Sequence, residues 1–195
     1  MNSLMQQALG AAWTQLPDSL KAHYQHGPNV DLGHLDIEFP RWMKPYLWLL
    51  HFFGALLTRS GKAVPTRVEK DVVDDRQLWR RTISFADGET AIFNSFWVAS
   101  GGNRLIEFVN PVMGLEMAVG TVGDELHYQG LRYVLRFGAV DISLPEWLVL
   151  GHTTIVERSL PTGGFEMDFR LTHPLFGEVF RYSGRFVTER PLTMT

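Results

Sequence analysis

The sequence contains no cysteine among its 195 residues. Disulfide bonds, thiolate nucleophiles and thiolate metal ligands are therefore excluded. It also has no long hydrophobic run, because its most apolar stretch covers only residues 45–57. A helix needs roughly 20 apolar residues to cross a bilayer. We therefore predict no transmembrane span.

Neither sign of charge dominates the chain. Its 18 basic and 21 acidic residues are interspersed and give a formal net charge of −3. This balance provides no basic surface of the kind that binds nucleic acid, so we predict no nucleic-acid partner. The N-terminal segment has no basic region ahead of an apolar run. We therefore expect no secretory signal and a cytoplasmic protein.

Hydrophobic periodicity predicts one domain over residues 1–195, with a helical part at 1–60. Within it, two helical pieces precede residue 26, a short strand falls near 34–39, and an almost wholly apolar helix covers 45–57. A helix that is apolar nearly all round is expected to be buried against a large neighbouring surface. We therefore expect this helix to pack on the sheet formed by the rest of the chain.

A β meander is predicted at 64–188, where β-rich runs alternate with turn residues. The predicted strands lie at 65–73, 77–85, 90–98, 103–109, 115–122, 125–137, 152–160, 165–172 and 178–188. A helical insert is considered only near "PEWLVL". Because closure removes exposed strand edges, we predict an α+β fold: an antiparallel barrel or strongly curved sheet of about eight to ten strands, with N-terminal helices.

Several segments resemble the DUF4166 family, a bacterial family of unknown function. They are "LGAAWTQLP", "HYQHG", "LWRRTISF", "ISLPEWL" and, most specifically, "FEMDFRLTHPLFGEVFRYSG". Members of this family also occur fused behind nicotinamide-dependent dehydrogenase-like domains, so the resemblance implies an accessory or ligand-handling role and an oxidoreductase as a partner. It implies no catalytic set. The chain has no Gly-rich dinucleotide fingerprint of its own, and we predict no cofactor.

The last hairpin of the chain predicts one apolar and one charged face. With Thr172 opposite Val179, one face is apolar throughout and belongs to the core. The other face carries Asp168, Arg181 and Arg185. On the outside, these charges form a surface ion-pair ladder of little energy. Inside a barrel, the arginines would instead hold an anionic head group.

The position of Glu157 depends on the register of its strand, which the sequence leaves open. In one register Glu157 lies beside Asp168 on the charged face. A slip by one residue turns Glu157 into the apolar face and places Arg158 opposite Asp168. Paired or buried carboxylates have raised pKa values that suit acid–base chemistry, so Glu157, Asp168 and Glu107 are candidates for an enzyme of this kind.

The histidines follow no recognised catalytic pattern. His23, His26 and His34, with Asp31 and Asp36 nearby, contain the right donor types for a metal. Their spacing does not match a zinc-binding motif, so we predict a solvated polar segment and no metal site. The remaining strand histidines, His127 and His152, have no visible serine or aspartate partners for a nucleophilic triad.

The apolar helix at 45–57 has two further interpretations. His51 is its one strongly polar intrusion, and it either faces a cavity or is a satisfied core histidine. The helix could also lie on a membrane surface, although its narrow polar face favours burial. Its anchors on a membrane would be Arg41, Trp42, Lys44, Trp48 and Arg59.

Aromatic and polar side chains at alternate strand positions are typical both of a ligand cavity and of an ordinary β core. We predict that a small amphipathic or lipid-like ligand binds between the 45–57 helix and the sheet. Two alternatives stay open: an acid–base enzyme, and a non-catalytic interaction domain for a dehydrogenase-type partner, which would expose a large apolar patch. The candidate ligand-binding residues are His51, Arg81, Trp97, Glu107, Tyr128, Glu157, Asp168, Arg181 and Arg185.

Overall fold

Ten antiparallel strands close into a barrel in the computed structural model, which describes residues 2–52, 57–138 and 140–189. The helices are α1 Leu4–Leu9, α2 Asp18–Tyr24, α3 Lys44–Phe52 and α4 Glu146–Val149. The strands are β1 Asn29–Glu38, β2 Gly61–Val73, β3 Arg76–Ser84, β4 Thr90–Gly101, β5 Arg104–Phe108, β6 Met113–Val122, β7 Glu125–Phe137, β8 Val140–Leu144, β9 His152–Ser159, β10 Phe165–His173 and β11 Gly177–Glu189.

The barrel is a meander closed by its first and last strands. Around the ring the order is β6-β5-β4-β3-β2-β1-β11-β10-β9-β7, and β6 pairs with β7 to complete it. The first half of β7 pairs with β9, and its second half pairs with β8, which lies outside the ring. Of the two predicted architectures, the closed barrel is therefore confirmed.

All nine strands predicted after residue 64 are present, and "PEWLVL" contains the short helix α4. Two strand features differ from the prediction. The first strand begins at Asn29, earlier than predicted, and the short strand β8 was not predicted. Both segments carry glycine or charged residues that weaken the β signal, and it is pairing with longer neighbours that makes them strands.

The core lies inside the barrel because side chains alternate between its two faces. Along β2, for example, Val64, Thr66, Val68 and Lys70 are buried, while most of the residues between them are exposed. The predicted pairs of the last hairpin are confirmed from Phe165↔Phe186 to Leu171↔Phe180, but a bulge after Leu171 places Thr172 opposite Glu178 rather than Val179. The apolar face of this hairpin points into the barrel.

The two N-terminal helices cover one end of the barrel. Helix α1 contacts β4, β5 and β6, and α2 contacts β9 and β11. Their inward side chains Met5, Leu20 and Tyr24 are buried. Ser3 caps α1, since its hydroxyl accepts from the Gln6 N–H at 3.2 Å while the Gln6 side chain accepts from the Ser3 N–H at 2.7 Å. These helices thus close the barrel over the first residues of β1.

Burial of the 45–57 helix against the sheet is not shown. In α3 the side chain of Leu47 is buried, but Trp48 is 72% exposed. Residues 53–56 and the side chain of His51 lie outside the described residues. Within the described part of the chain, every helix is too short or too polar to cross a membrane.

Closure between β1 and β11 depends on two glycines. A Cβ at Gly33 would lie 2.0 Å from the carbonyl oxygen of Arg185, and one at Gly184 would lie 2.2 Å from that of His34. No side chain fits at such distances. β1 and β11 can therefore pair at these two positions only because both residues are glycine.

Candidate functional site

A group of buried charges lies inside the barrel near α2. One carboxylate oxygen of Asp31 on β1 is 2.7 Å from the Lys70 ammonium on β2 and 2.7 Å from Nδ1 of His23. Lys70 also donates to the carbonyl oxygen of His23 at 2.6 Å. All three side chains are at most 5% exposed. Neighbouring strands and the helix above them therefore assemble this ion cluster away from water.

Burial shifts the protonation of this cluster. Burial lowers the pKa of His23 to about 4, in spite of the nearby Asp31 carboxylate. It lowers the pKa of Lys70 to about 8, again opposed by Asp31. Burial by itself raises the pKa of Asp31, but His23 and Lys70 outweigh it and hold that pKa at about 2. At neutral pH the cluster is thus a Lys70–Asp31 ion pair beside a neutral imidazole.

A buried carboxyl and two phenols continue this cluster. The Tyr24 hydroxyl donates to the Glu157 carboxyl, with both oxygens at 2.8 Å, and the Tyr128 hydroxyl donates to that of Tyr24 at 2.5 Å. Burial raises the pKa of Glu157 to about 8, against the opposing effects of Tyr24 and Lys70. His23 Nε2 lies 3.9 Å from Glu157 and links the two groups. Glu157 is therefore largely protonated at neutral pH.

The register between β9 and β10, which the sequence left open, explains why Glu157 is buried. Glu157 pairs with Met167, and Asp168 pairs with Val156, so Glu157 points into the barrel and Asp168 points outward. Arg158 lies opposite Glu166 rather than Asp168. The carboxyls of Glu157 and Asp168 consequently occupy opposite faces of the sheet and do not form a pair.

A second polar group lines the lumen on the adjacent strands β3, β4 and β5. Arg81 donates to the Ser95 hydroxyl at 2.8 Å and to Glu107 at 3.0 Å, and the Ser95 hydroxyl donates to Glu107 at 2.7 Å. The guanidinium also lies 5.1 Å from the Trp79 ring and 5.2 Å from the Phe93 ring. Arginine carries more N–H donors than these contacts use, so Arg81 retains donors for a further acceptor.

Two cavities adjoin at this second polar group. Arg81, Glu107 and Tyr182 line both of them. The polar cavity has a volume of about 40 Å³ and the apolar cavity one of about 90 Å³. A single water molecule needs roughly 10–15 Å³ on this measure. The apolar cavity is lined mainly by Leu35, Leu57, Ile83, Phe93, Val109, Met113, Leu115, Tyr133, Val149, Leu150, Phe169, Leu171 and Phe180.

Two hydrogen-bond donors in the polar cavity are unpaired. Trp79 and Trp97 both line it, and their indole rings stack with centroids 5.0 Å apart. Neither indole N–H has an acceptor among the residues that the structure describes. A buried donor without a partner costs about 1–3 kcal/mol. An acceptor placed in this cavity would remove that cost.

The structure unites some of the predicted ligand-binding residues and separates others. The residues brought together are Arg81, Trp97, Glu107, Tyr128 and Glu157, which all line the polar cavity. Those on the outside of the barrel are Asp168, Arg181 and Arg185. Asp168 lies 2.8 Å from Arg181 and 2.6 Å from Arg170, and Arg185 is 76% exposed. The charged face of the last hairpin is therefore a surface ladder and does not face the lumen.

Sequence reasoning missed part of the buried cluster. His23 and Asp31 were expected in a solvated polar segment, and that prediction is wrong because they are 4% and 0% exposed. The strand signal was placed too late to include Asp31. For Lys70 a signal existed, since it continues the alternation of Val64, Thr66 and Val68 on the buried face of β2. A lysine in such a series indicates a buried charge that needs a partner.

Other predicted polar residues have local partners. Nδ1 of His152 lies 2.7 Å from Glu146, and Nε2 of His127 lies 2.8 Å from Glu125. His34 lies on the outside of the barrel, apart from the His23–Asp31 pair. Among the described residues there is no group of three or more histidines and carboxylates suited to a metal ion.

Comparison with known proteins identifies the family of the chain. The model of a protein family described as "Domain of unknown function (DUF4166)" matches residues 16–186. No curated protein and no solved structure matches the chain. The matched region begins just before α2 and ends within β11, so it contains the other strands of the barrel, most of β11 and the residues of both cavities. The chain belongs to the DUF4166 family.

Proposed function

We propose that the barrel binds a small amphipathic molecule in its lumen. The observation that carries this proposal is the pair of adjoining cavities, one apolar and one polar, that share Arg81, Glu107 and Tyr182. Ligand sites are typically apolar clefts with a few convergent polar groups. The apolar cavity would take the hydrocarbon part of the ligand, and the polar group at its inner end would orient the remainder.

The charges around the polar cavity indicate what kind of polar end would fit. Arg81 is paired with Glu107, and Lys70 is paired with Asp31. Glu157 is largely protonated at neutral pH. The charges therefore cancel, while the indole N–H groups of Trp79 and Trp97 have no acceptor among the described residues. An uncharged hydrogen-bond acceptor such as a carbonyl oxygen therefore fits the polar cavity better than an anion. An anion would find no net positive charge there to compensate its own.

Filling the apolar cavity tests this proposal. Leu115 lines the cavity, so we expect Leu115→Trp to weaken the binding of a small ketone, such as 2-heptanone, by at least about tenfold. Isothermal titration calorimetry measures the affinity. Leu131→Trp is the matched control, because Leu131 on β7 is exposed and should leave the affinity unchanged. Equal affinities for the two variants, or no binding by the unmodified protein, would contradict the proposal.

Native mass spectrometry of protein purified from its own host addresses the natural ligand. We expect an additional small mass that is present in the unmodified protein and in Leu131→Trp but reduced in Leu115→Trp. A bare protein mass in all three preparations would leave only the ketone titration in support of the binding function.

A second candidate function is acid–base chemistry on the bound molecule. Glu157 favours it, because this carboxyl is buried, has a pKa of about 8 and is hydrogen-bonded to Tyr24 within a cavity. Such a group can hold and return a proton near neutral pH. Of the other two predicted carboxylates, Asp168 lies outside the barrel, and Glu107 is held by Arg81.

Deuterium exchange at carbon tests this second function. If Glu157 transfers protons, the protein should catalyse deuterium incorporation next to the carbonyl of 2-heptanone in D₂O, as measured by mass spectrometry. We expect Glu157→Gln to abolish the catalysed part, since an amide cannot act as the base. Asp168→Asn serves as the control and should retain it. Exchange that is no faster than in buffer would reject the catalytic candidate while leaving ligand binding intact.

A further inference from the structure

Large apolar side chains are exposed around one end of the barrel. This set, which we call the mouth rim, includes all three exposed tryptophans of the described residues. Its members are between 53% and 81% exposed, and they are Trp42, Trp48, Trp147, Leu148, Leu175 and Phe176. Single exposed apolar residues are normal, but a group of this size at one end of a fold marks an interaction surface.

Strand pairing places these residues at the same end. Glu38 at the end of β1 pairs with Arg181 near the start of β11, and Thr172 near the end of β10 pairs with His152 at the start of β9. The segments that carry the rim follow β1, precede β9 and join β10 to β11. They therefore meet at the end of the barrel opposite α1 and α2.

Direct contacts hold the rim segments together. The rings of Trp42 and Phe176 lie 5.4 Å apart between centroids. The Tyr46 hydroxyl on α3 donates to the carbonyl oxygen of Val149 on α4 at 2.7 Å. The rim is thus one connected surface built from three separate parts of the chain.

At this end of the barrel, most charged side chains without an ion-pair partner are positive. Arg41, Lys44 and Lys62 are exposed, and none has an acidic partner among the described residues. Most acidic side chains around them are paired with arginines, whereas Asp36 accepts from the Ala63 N–H. These pairs are Asp87 and Glu89 with Arg59, Asp141 with Arg136, Glu178 with Arg170, and Glu38 with Arg181. The rim therefore combines exposed tryptophans with three cations, Arg41, Lys44 and Lys62, that lie outside these ion pairs.

The rim is also continuous with the apolar cavity. Trp147 and Leu148 of α4 are exposed, whereas Val149 and Leu150 line the cavity. Leu57, from the segment that follows α3, lines it as well. One short helix thus presents apolar side chains to the outside and to the cavity.

We propose that the mouth rim docks on an anionic lipid surface and that the barrel takes up its ligand there, the uptake resting on the binding function proposed above. Tryptophan is enriched where proteins meet the membrane interface, and basic residues near an anionic surface add to the attraction. A second copy of this chain fits the rim less well, because a twofold contact would bring the same three cations of each copy face to face.

Cosedimentation with vesicles tests the docking. We expect the full chain to bind vesicles of phosphatidylcholine and phosphatidylglycerol more strongly than vesicles of phosphatidylcholine alone. Leu148→Ser combined with Leu175→Ser should lower the partition coefficient by at least about tenfold, since both side chains would leave the lipid. The matched control combines Leu78→Ser with Leu131→Ser on the wall of the barrel, and it should bind like the unmodified protein.

The basic residues provide a second, independent readout. Replacing Arg41 and Lys44 with glutamine should weaken binding to the anionic vesicles by roughly fivefold per residue and leave binding to the neutral vesicles unchanged. Circular dichroism and thermal melting would establish that all variants fold, which is expected because every replaced side chain is exposed.

Several outcomes would overturn the docking. One is no binding to either kind of vesicle, and another is equal loss in the rim and wall variants. A third is a dimer in sedimentation equilibrium that the rim variant dissociates, which would assign the rim to a second copy. A monomer that does not bind vesicles would instead assign the rim to a protein partner, such as a dehydrogenase.

The ketone titration separates this inference from the binding function. Rim variants should keep the affinity for 2-heptanone, and Leu115→Trp should keep vesicle binding. An unmodified protein that binds 2-heptanone but not the vesicles would overturn the docking alone. Vesicle binding without any ketone affinity would overturn the binding function and the uptake while leaving the docking in place.

Discussion

Replacing Asp31 with asparagine is expected to lower the free energy of unfolding by about 3–5 kcal/mol, as is usual when one member of a buried ion pair is removed. Asp31 is 0% exposed and supports Lys70 on one side and His23 on the other. Without the Asp31 carboxylate, the Lys70 ammonium has no negative charge equally close to it. The protein must then keep an unpaired charge in the core or release a proton from Lys70.

Urea denaturation at pH 7 measures this effect. Asp75→Asn is the matched control, because Asp75 is exposed in the turn before β3 and the change should stay within about 0.5 kcal/mol. If Asp31→Asn does not fold, the combination of Asp31→Leu with Lys70→Met provides the second measurement. Removing both charges leaves no unpaired ion, so the double variant should recover most of the lost stability. A loss below about 1 kcal/mol for Asp31→Asn would contradict the assigned ion pair.

Stability is expected to fall by about 2 kcal/mol as the pH rises from about 6.5 to about 8, and Glu157 is the cause. Its pKa is about 8 in the folded protein and 4.5 ordinarily. Between these values the folded state binds a proton that the unfolded state has released. The stabilising contribution of Glu157 is therefore complete below pH 4.5. It is lost at roughly 1.4 kcal/mol per pH unit as the pH rises toward 8.

The other buried groups define the pH window in which Glu157 dominates the change in stability. His23 has a folded pKa of about 4 against 6.5, so between these values it makes stability rise with pH and offsets Glu157. Lys70 has a folded pKa of about 8 against 10.5, so its contribution to stability rises mainly above pH 8. The pKa values of Tyr24 and Tyr128 are raised well above their ordinary values by burial. Glu157 therefore dominates the change in stability between about pH 6.5 and 8, and Lys70 begins to offset it as the pH approaches 8.

Comparing the unmodified protein with Glu157→Gln isolates this contribution. Glutamine has nearly the shape of the protonated carboxyl but does not titrate. The difference in unfolding free energy between the two proteins should therefore change by about 2 kcal/mol across the window, while exposed histidines contribute equally to both. A difference that stays constant with pH would show that Glu157 is already ionised in the folded protein and would weaken its assignment as an acid–base group.

Strand positions were predictable where alternation and turn residues agreed. The last hairpin is the clearest case, because Phe165, Phe169 and Leu171 can all face the core in only one register with β11. The helix at 45–57 was less predictable. Apolar composition indicates that a helix seeks burial, but it cannot indicate whether the remaining structure has room around it. Here Leu47 is buried but Trp48 remains exposed.

The candidate site was predictable in its parts but not in its assembly. Arg81, Trp97 and Glu107 lie on consecutive strands, and their alternation predicted that they share a face. Glu157 was ambiguous, because a shift of one residue exchanges the two faces of a strand and its loop allowed both registers. His23 and Asp31 were missed, since their partner Lys70 is 47 residues from His23 in the sequence and becomes a neighbour only through the packing of α2 on the barrel.

The sequence by itself determined the antiparallel meander, its turns and the apolar face of the last hairpin. These follow from local patterns, in which each side chain needs only its immediate neighbours to select a conformation. Tertiary structure decided how the barrel closes, which face of β9 lies inside and which charges meet in the core. Closure brings the ends of the chain together, and burial then determines protonation, so the cavity chemistry depends on contacts between residues far apart in the sequence.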